Sequence, residues 1–133
     1  MMSHRTLAAL IAVWAVITWG GRIGLLAGDE TLGAKARIAI SLLSAAGAVA
    51  GLVLRHPWQR PAVGFYVAVT LAVWLTSVVS VLGDPASSPA FKGVHVVLAT
   101  VSITLAGTAG RLVLRRSEPE PERRSAAPSP TGR

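Results

Sequence analysis

Few side chains in this chain of 133 residues could do chemistry. There are three histidines (His4, His56 and His95), six acids and no cysteine. Without cysteine there is no disulfide, thiolate ligand or thiol nucleophile. No two histidines stand at the helical spacing that would let both reach one metal ion, and a four-span topology puts His95 on the opposite side from the other two. That argues against haem or metal ligation. Gly28-x-x-x-x-Gly33-Ala34-Lys35 imitates the start of a phosphate loop. Its lysine does not directly follow the second glycine, and no Ser/Thr comes next to hold magnesium. The metalloprotease, nucleophile-elbow and dinucleotide glycine patterns are missing, as is any asparagine that could accept a glycan. With no nucleophile–base or metal constellation legible, the expectation is a non-enzymatic protein without a cofactor.

Composition explains why so little chemistry is written here. Hydrophobic residues make up 52% of the chain and charged ones 14%, against about 25% charged in soluble domains. The net charge of +7 could serve a nucleic acid. The cations flank apolar runs, however, where they set topology and meet anionic lipid. The expected partner is therefore the lipid bilayer and not nucleic acid, with other membrane proteins or a second copy as further possibilities.

Stretches 6–21, 38–54, 62–83 and 96–110 carry no ionisable side chain. A helix at a water interface would show a charge every turn or two on its outer face. With snorkelling flanks, each stretch approaches the ~20 residues that span a bilayer. The fold class is thus all-α integral membrane. Four helices are expected near 6–26, 34–54, 62–82 and 90–114 within a domain over 1–116. Pro57 cannot continue the second helix, and Pro61 suits the first turn of the third. Asp84-Pro85 reads as a turn, and Ser88-Pro89 as an N-cap with the first helical residue. Trp19, Trp58, Phe65, Tyr66 and Phe91 fall near expected interfaces, whereas Trp14 and Trp74 lie at mid-span as packing residues. The segment 117–133 mixes four prolines, three glutamates and three arginines with no large apolar side chain, so it is expected to be a disordered tail.

Counting Lys and Arg by side places nine with the termini and the 55–61 loop, and four (Arg22, Lys35, Arg37, Lys92) on the other side. The positive-inside rule then expects both termini in the cytoplasm of a plasma-membrane protein. No small-x-small site follows the first apolar run at a convincing distance, so that run is expected to remain as a span and not to be cleaved as a signal.

A shift of 60 residues aligns Ala12-Val13-Trp14 with Ala72-Val73-Trp74 and Leu52-Val53-Leu54-Arg55 with Leu112-Val113-Leu114-Arg115. Gly33 and Gly47 meet Gly93 and Gly107 in the same register. Chains rich in Ala, Val and Leu match often by chance, but a rare tryptophan and an ungapped end motif stand above that background. The expectation is a tandem repeat of two helical hairpins, related by an axis along the membrane normal.

Two groups of residues are singled out. On the second span Arg37, Ser41, Ser44, Ala48, Gly51 and Arg55 recur at steps of four and three. On the fourth, Lys92, His95, Ala99, Ser102, Ala106 and Ala109 do the same. Small side chains on one face let helices approach closely, so Ser41, Ser44, Ala48, Gly51, Ser102 and Ala106 are read as a helix-packing face in preference to a polar pathway. The second group is Arg22, Arg37, Asp84, Lys92 and His95 on one side of the bundle. There Arg22 and Arg37 could pair with Asp84, Asp29 or Glu30 in a polar vestibule, or simply snorkel to headgroups. The functional expectation is an accessory or interaction subunit; the alternative is a small transporter or channel with a basic outer vestibule. Small four-helix exporters use an acid within the first span, and residues 6–21 contain none.

The reading depends on hydrocarbon surrounding the third span. A single cysteine introduced by Ala72→Cys should resist a membrane-impermeant maleimide from either side of sealed vesicles, and should react only after solubilisation in denaturant. Rapid labelling in intact vesicles would overturn it.

Overall fold

The computed structural model describes residues 3–28, 31–54 and 57–115. Over them the chain forms α1 (His4–Trp19), α2 (Leu32–Leu54), α3 (Gln59–Gly83) and α4 (Pro89–Leu114), with 3₁₀ turns over Gly20–Leu26. Four helical stretches are long and apolar enough to cross a membrane: 21 residues over His4–Gly24, then 23, 25 and 26 residues for α2, α3 and α4. At about 1.5 Å per residue each covers roughly the 30 Å of a hydrocarbon layer. Asp29, Glu30, Arg55, His56 and the tail over 117–133 lie outside the described residues.

Local chemistry sets the helix ends. The Thr6 N–H donates to Ser3 Oγ at 3.1 Å, and the Phe91 N–H donates to Ser88 Oγ at 3.3 Å with Pro89 opening α4. Each cap satisfies an amide that has no partner within its helix. Pro61 falls in the first turn of α3, where its missing N–H costs nothing. The third helix starts three residues ahead of the expected 62, so Arg60 lies inside it. The expected single helix over 6–26 instead tightens at Gly20, where Gly20, Gly21 and Gly24 weaken α-helical propensity.

Each helix packs mainly on its neighbours in sequence, and α1 closes the ring against α4 over a smaller contact. One end of the bundle carries the α1–α2 and α3–α4 connections; we call it the hairpin end. The other, terminal end carries Ser3, the α2–α3 connection and Arg115. The dry core belongs to the terminal half. Leu7, Ala8 and Ile11 of α1 meet Ala45, Ala48 and Leu52 of α2, Val63 and Tyr66 of α3, and Ala106, Ala109 and Val113 of α4. Leu7, Ile11, Leu52 and Val63 are fully buried there.

The outside is apolar. Val16, Ile17, Leu43 and Val79 are 68%, 64%, 72% and 71% exposed, positions a soluble bundle gives to charged residues. Hydroxyls on that surface turn inward to the backbone. Thr76, Thr100, Thr104 and Thr108 each donate to the carbonyl one turn back, at 2.6–2.8 Å. An unpaired hydroxyl in hydrocarbon would cost several kcal/mol.

Close approach of α2 and α3 rests on one glycine. A methyl group on Gly51 would stand 3.2 Å from Gln59 Cα and 3.6 Å from Ala62 Cβ, whereas one on Gly47 would meet nothing within 4 Å. Gly51→Leu should therefore destabilise the bundle by about 1–3 kcal/mol, the usual range for overpacking. Gly47→Leu should leave unfolding in mixed micelles within about 0.5 kcal/mol of wild type.

Candidate functional site: a polar cavity inside the bundle

Above the dry core, toward the hairpin end, the interior changes character. A cavity of about 20 Å³ opens between the four helices, lined by Trp14, Ala15 and Trp19 of α1, Ser41, Ser44 and Ala45 of α2, Tyr66, Val69, Thr70, Val73 and Trp74 of α3, and Ser102 of α4. That volume holds one or two water-sized groups. Four aromatic rings and five hydroxyls, that of Tyr66 included, line it, and among the described residues no charged side chain does.

The hydroxyl orientations follow from the helical backbone. Ser41 donates to Arg37 O at 2.8 Å, Ser44 to Ser41 O at 3.0 Å and Ser102 to Leu98 O at 2.7 Å. Each serine thus spends its proton on its own helix, leaving oxygen lone pairs for the interior. Ser102 Oγ uses one of them to accept the Trp14 indole N–H at 2.8 Å, a hydrogen bond that fastens α1 to α4 where their contact is slight. Tyr66 engages the Thr70 side chain one turn along α3. Trp19 and Trp74 close the hairpin side of the group with ring centroids 6.4 Å apart, and the Arg22 guanidinium lies 5.4 Å from the Trp19 centroid. Thr18 Oγ1, next to this pair in sequence, is buried without a hydrogen-bond partner among the described residues.

Of the residues chosen as a packing face, Ser41, Ser44, Ala48 and Gly51 are buried along α2, and Ser102 and Ala106 along α4. The structure divides them by depth. Ala48 and Ala106 belong to the dry core, whereas Ser41, Ser44 and Ser102 line the cavity.

The hairpin-end residues make mostly local contacts, with Asp84 and Lys92 close enough to attract. Arg22 is half-buried on Trp19, and Arg37 is exposed. His95 is buried; its Nδ1–H donates to Phe91 O at 3.1 Å, and its ring lies 4.2 Å from that of Phe91. Lys92 Nζ donates to Leu82 O at 3.2 Å. Asp84 folds into its own turn, accepting from the Ser87 hydroxyl at 2.8 Å and the Ala86 N–H at 2.9 Å. Those two bonds, with a smaller attraction from Lys92, hold its carboxyl below the ordinary carboxylate pKa. Among the described residues no ion pair joins Arg22 or Arg37 to Asp84.

Sequence reasoning missed the aromatic half of the cavity. Tyr66 and Trp19, expected at interfaces, are buried, and Trp14 and Trp74 do more than fill space. A usable signal was present, because Trp14 and Trp74 fall near mid-span with Ser44 and Ser102 when four antiparallel spans are aligned. The chain matches no protein-family model, no curated protein and no solved structure.

The α1–α4 tie can be measured. Trp14→Phe and Ser102→Ala should each cost about 1 kcal/mol of unfolding free energy in mixed micelles. Their double-mutant coupling should be about 0.6 kcal/mol, the average for interhelical hydrogen bonds in membranes.

Proposed function

We propose that this chain is a multi-pass plasma-membrane protein with both termini in the cytoplasm, acting without catalysis as an accessory subunit that docks a partner's transmembrane helix. The observation that carries this reading is the outer surface of α2. A groove of about 570 Å³ runs between α1 and α2, walled by Ala12, Ala15, Ala46, Val49 and Ala50 among others. A second, of about 400 Å³, lies between α2 and α3 against Gly47, Ala50, Leu54 and Trp58. Both are almost wholly apolar, so their occupant is apolar too.

A helix fits these grooves better than an acyl chain does. Glycine in a helix costs about 1 kcal/mol relative to alanine, and among the described residues nothing stands within 4 Å of a methyl group placed on Gly47, as is also true of Gly64, Gly93 and Gly107. A flexible acyl chain would pack as well around a methyl group, whereas a second backbone gains from its absence. Small side chains, apolar walls and the lack of hydrophobic exclusion within a bilayer together favour helix-on-helix packing at this face.

The same reading takes the chain as a tandem repeat of two hairpins. Leu54 and Leu114 end α2 and α4 sixty residues apart, and Trp14 and Trp74, also sixty apart, line one cavity. The segment 117–133 is then a solvated cytoplasmic tail. The competing reading, a small transporter, draws support from the polar cavity. A continuous path, however, would have to cross Leu7, Ile11, Leu52 and Val63, which are fully buried below it.

Because the chain has no cysteine, one introduced residue reports unambiguously. Ala50→Cys carrying a photo-crosslinker in native membranes should give one discrete protein adduct of defined stoichiometry, lost on adding Gly47→Leu. Val97→Cys on the exposed face of α4 should give none. A homodimeric adduct would make the partner a second copy. Lipid adducts alone, or substrate flux in proteoliposomes blocked by Ser44→Val, would overturn the accessory reading.

A further inference from the structure

The central cavity is built from two kinds of electron-rich wall. The rings of Trp14, Trp19, Tyr66 and Trp74 line it, and aromatic π faces are negative. Ser41 and Ser44 also line it and have given their protons to Arg37 O and Ser41 O, which leaves their oxygens as acceptors, beside the hydroxyls of Tyr66, Thr70 and Ser102. The described interior holds no acid to neutralise a guest and no lysine or arginine to repel one from within. The cavity, at about 20 Å³, excludes anything much larger than a few heavy atoms.

A cation already rests against this arrangement. Arg22 places its guanidinium carbon 5.4 Å from the centroid of Trp19, and Trp19 is itself paired with Trp74 at 6.4 Å. Arg22 is not part of the cavity lining, so it stacks on the rim and leaves the interior to another guest.

We propose that the cavity is a binding site for a small monovalent cation of the ammonium type, with Arg22 as a tethered competitor at its rim. An ammonium nitrogen offers N–H donors to the two serine oxygens and positive charge to the rings, the combination the walls request. Larger quaternary cations do not fit the volume. Arg22 opposes entry by its own charge and by occupying one face of Trp19. The proposal stands apart from the docking of a helix on α2, because Ser41 and Ser44 line the cavity whereas Ala46, Gly47 and Ala50 line the grooves, with Ala15 and Ala45 bordering both the cavity and the larger groove.

Tryptophan fluorescence of the full chain in detergent micelles or nanodiscs tests it. Trp58 is exposed and remote from the cavity, so Trp58→Phe leaves three tryptophans that all line the cavity. Titration with methylammonium chloride, at ionic strength held constant with sodium chloride, should give a saturating change. Arg22→Gln should tighten the apparent affinity about threefold, the scale of one exposed cation–π contact. Ser44→Val fills the cavity and should abolish saturation. Trp74→Leu, which removes a ring without adding volume, should do the same and covers the case in which Ser44→Val fails to fold. Choline, as an oversized control, should give no saturation. A strictly linear response to methylammonium, saturation that survives in folded Ser44→Val or Trp74→Leu, or an equal response to choline would overturn the proposal.

Discussion

Hydrogen-bonding groups on helices apolar enough to span a membrane need partners within the protein, and much of this structure follows that constraint, with Thr18 Oγ1 an exception among the described residues. Ser41, Thr76, Thr100, Ser102, Thr104 and Thr108 all donate to the carbonyl four residues back, and Ser44 to the carbonyl three back. On the outer surface this hides protons from an apolar surrounding. Inside, the same habit leaves the oxygen lone pairs of α2 turned toward the bundle axis. One helical rule therefore produces an inert exterior and an electron-rich interior.

The same medium removes the usual reason for helices to associate. Alkyl side chains gain little by leaving hydrocarbon for a protein core, so contact area and backbone approach carry the association. The terminal half answers with small residues: Ala8, Ala45, Ala48, Ala106 and Ala109 let the helices close around Leu7, Ile11, Leu52 and Val63, and Gly51 admits the start of α3. Toward the hairpin end the side chains grow larger and carry polar tips, and packing gives way to a cavity bridged by the Trp14–Ser102 hydrogen bond. The bundle is thus tightly packed at one depth and holds a cavity at another.

Legibility in the sequence followed the same physics. Ser88-Pro89 announces the start of α4 because capping is a local hydrogen bond, and the small face of α2 is visible because 3.6-residue periodicity is local too. The sequence offers Asp84 as a partner for Arg22 across the bundle, yet Ser87 and Ala86 are a turn away and claim it at little entropic cost. Tyr66 and Trp19 are expected at an interface because amphipathic rings favour one on average. Which way each ring faces depends on the rotation of its helix against three others, and that is not a local property.

Apolar length and the placement of cations were determined by the sequence by itself, since each depends only on the order of residue types along the chain. The tertiary structure alone decided that Trp14, Tyr66, Trp74, Ser44 and Ser102 share one cavity, and that Gly51 is filled from within while Gly47 stays open to the outside. Convergence of side chains from four helices is set by their mutual rotation and depth, which small residues permit without specifying.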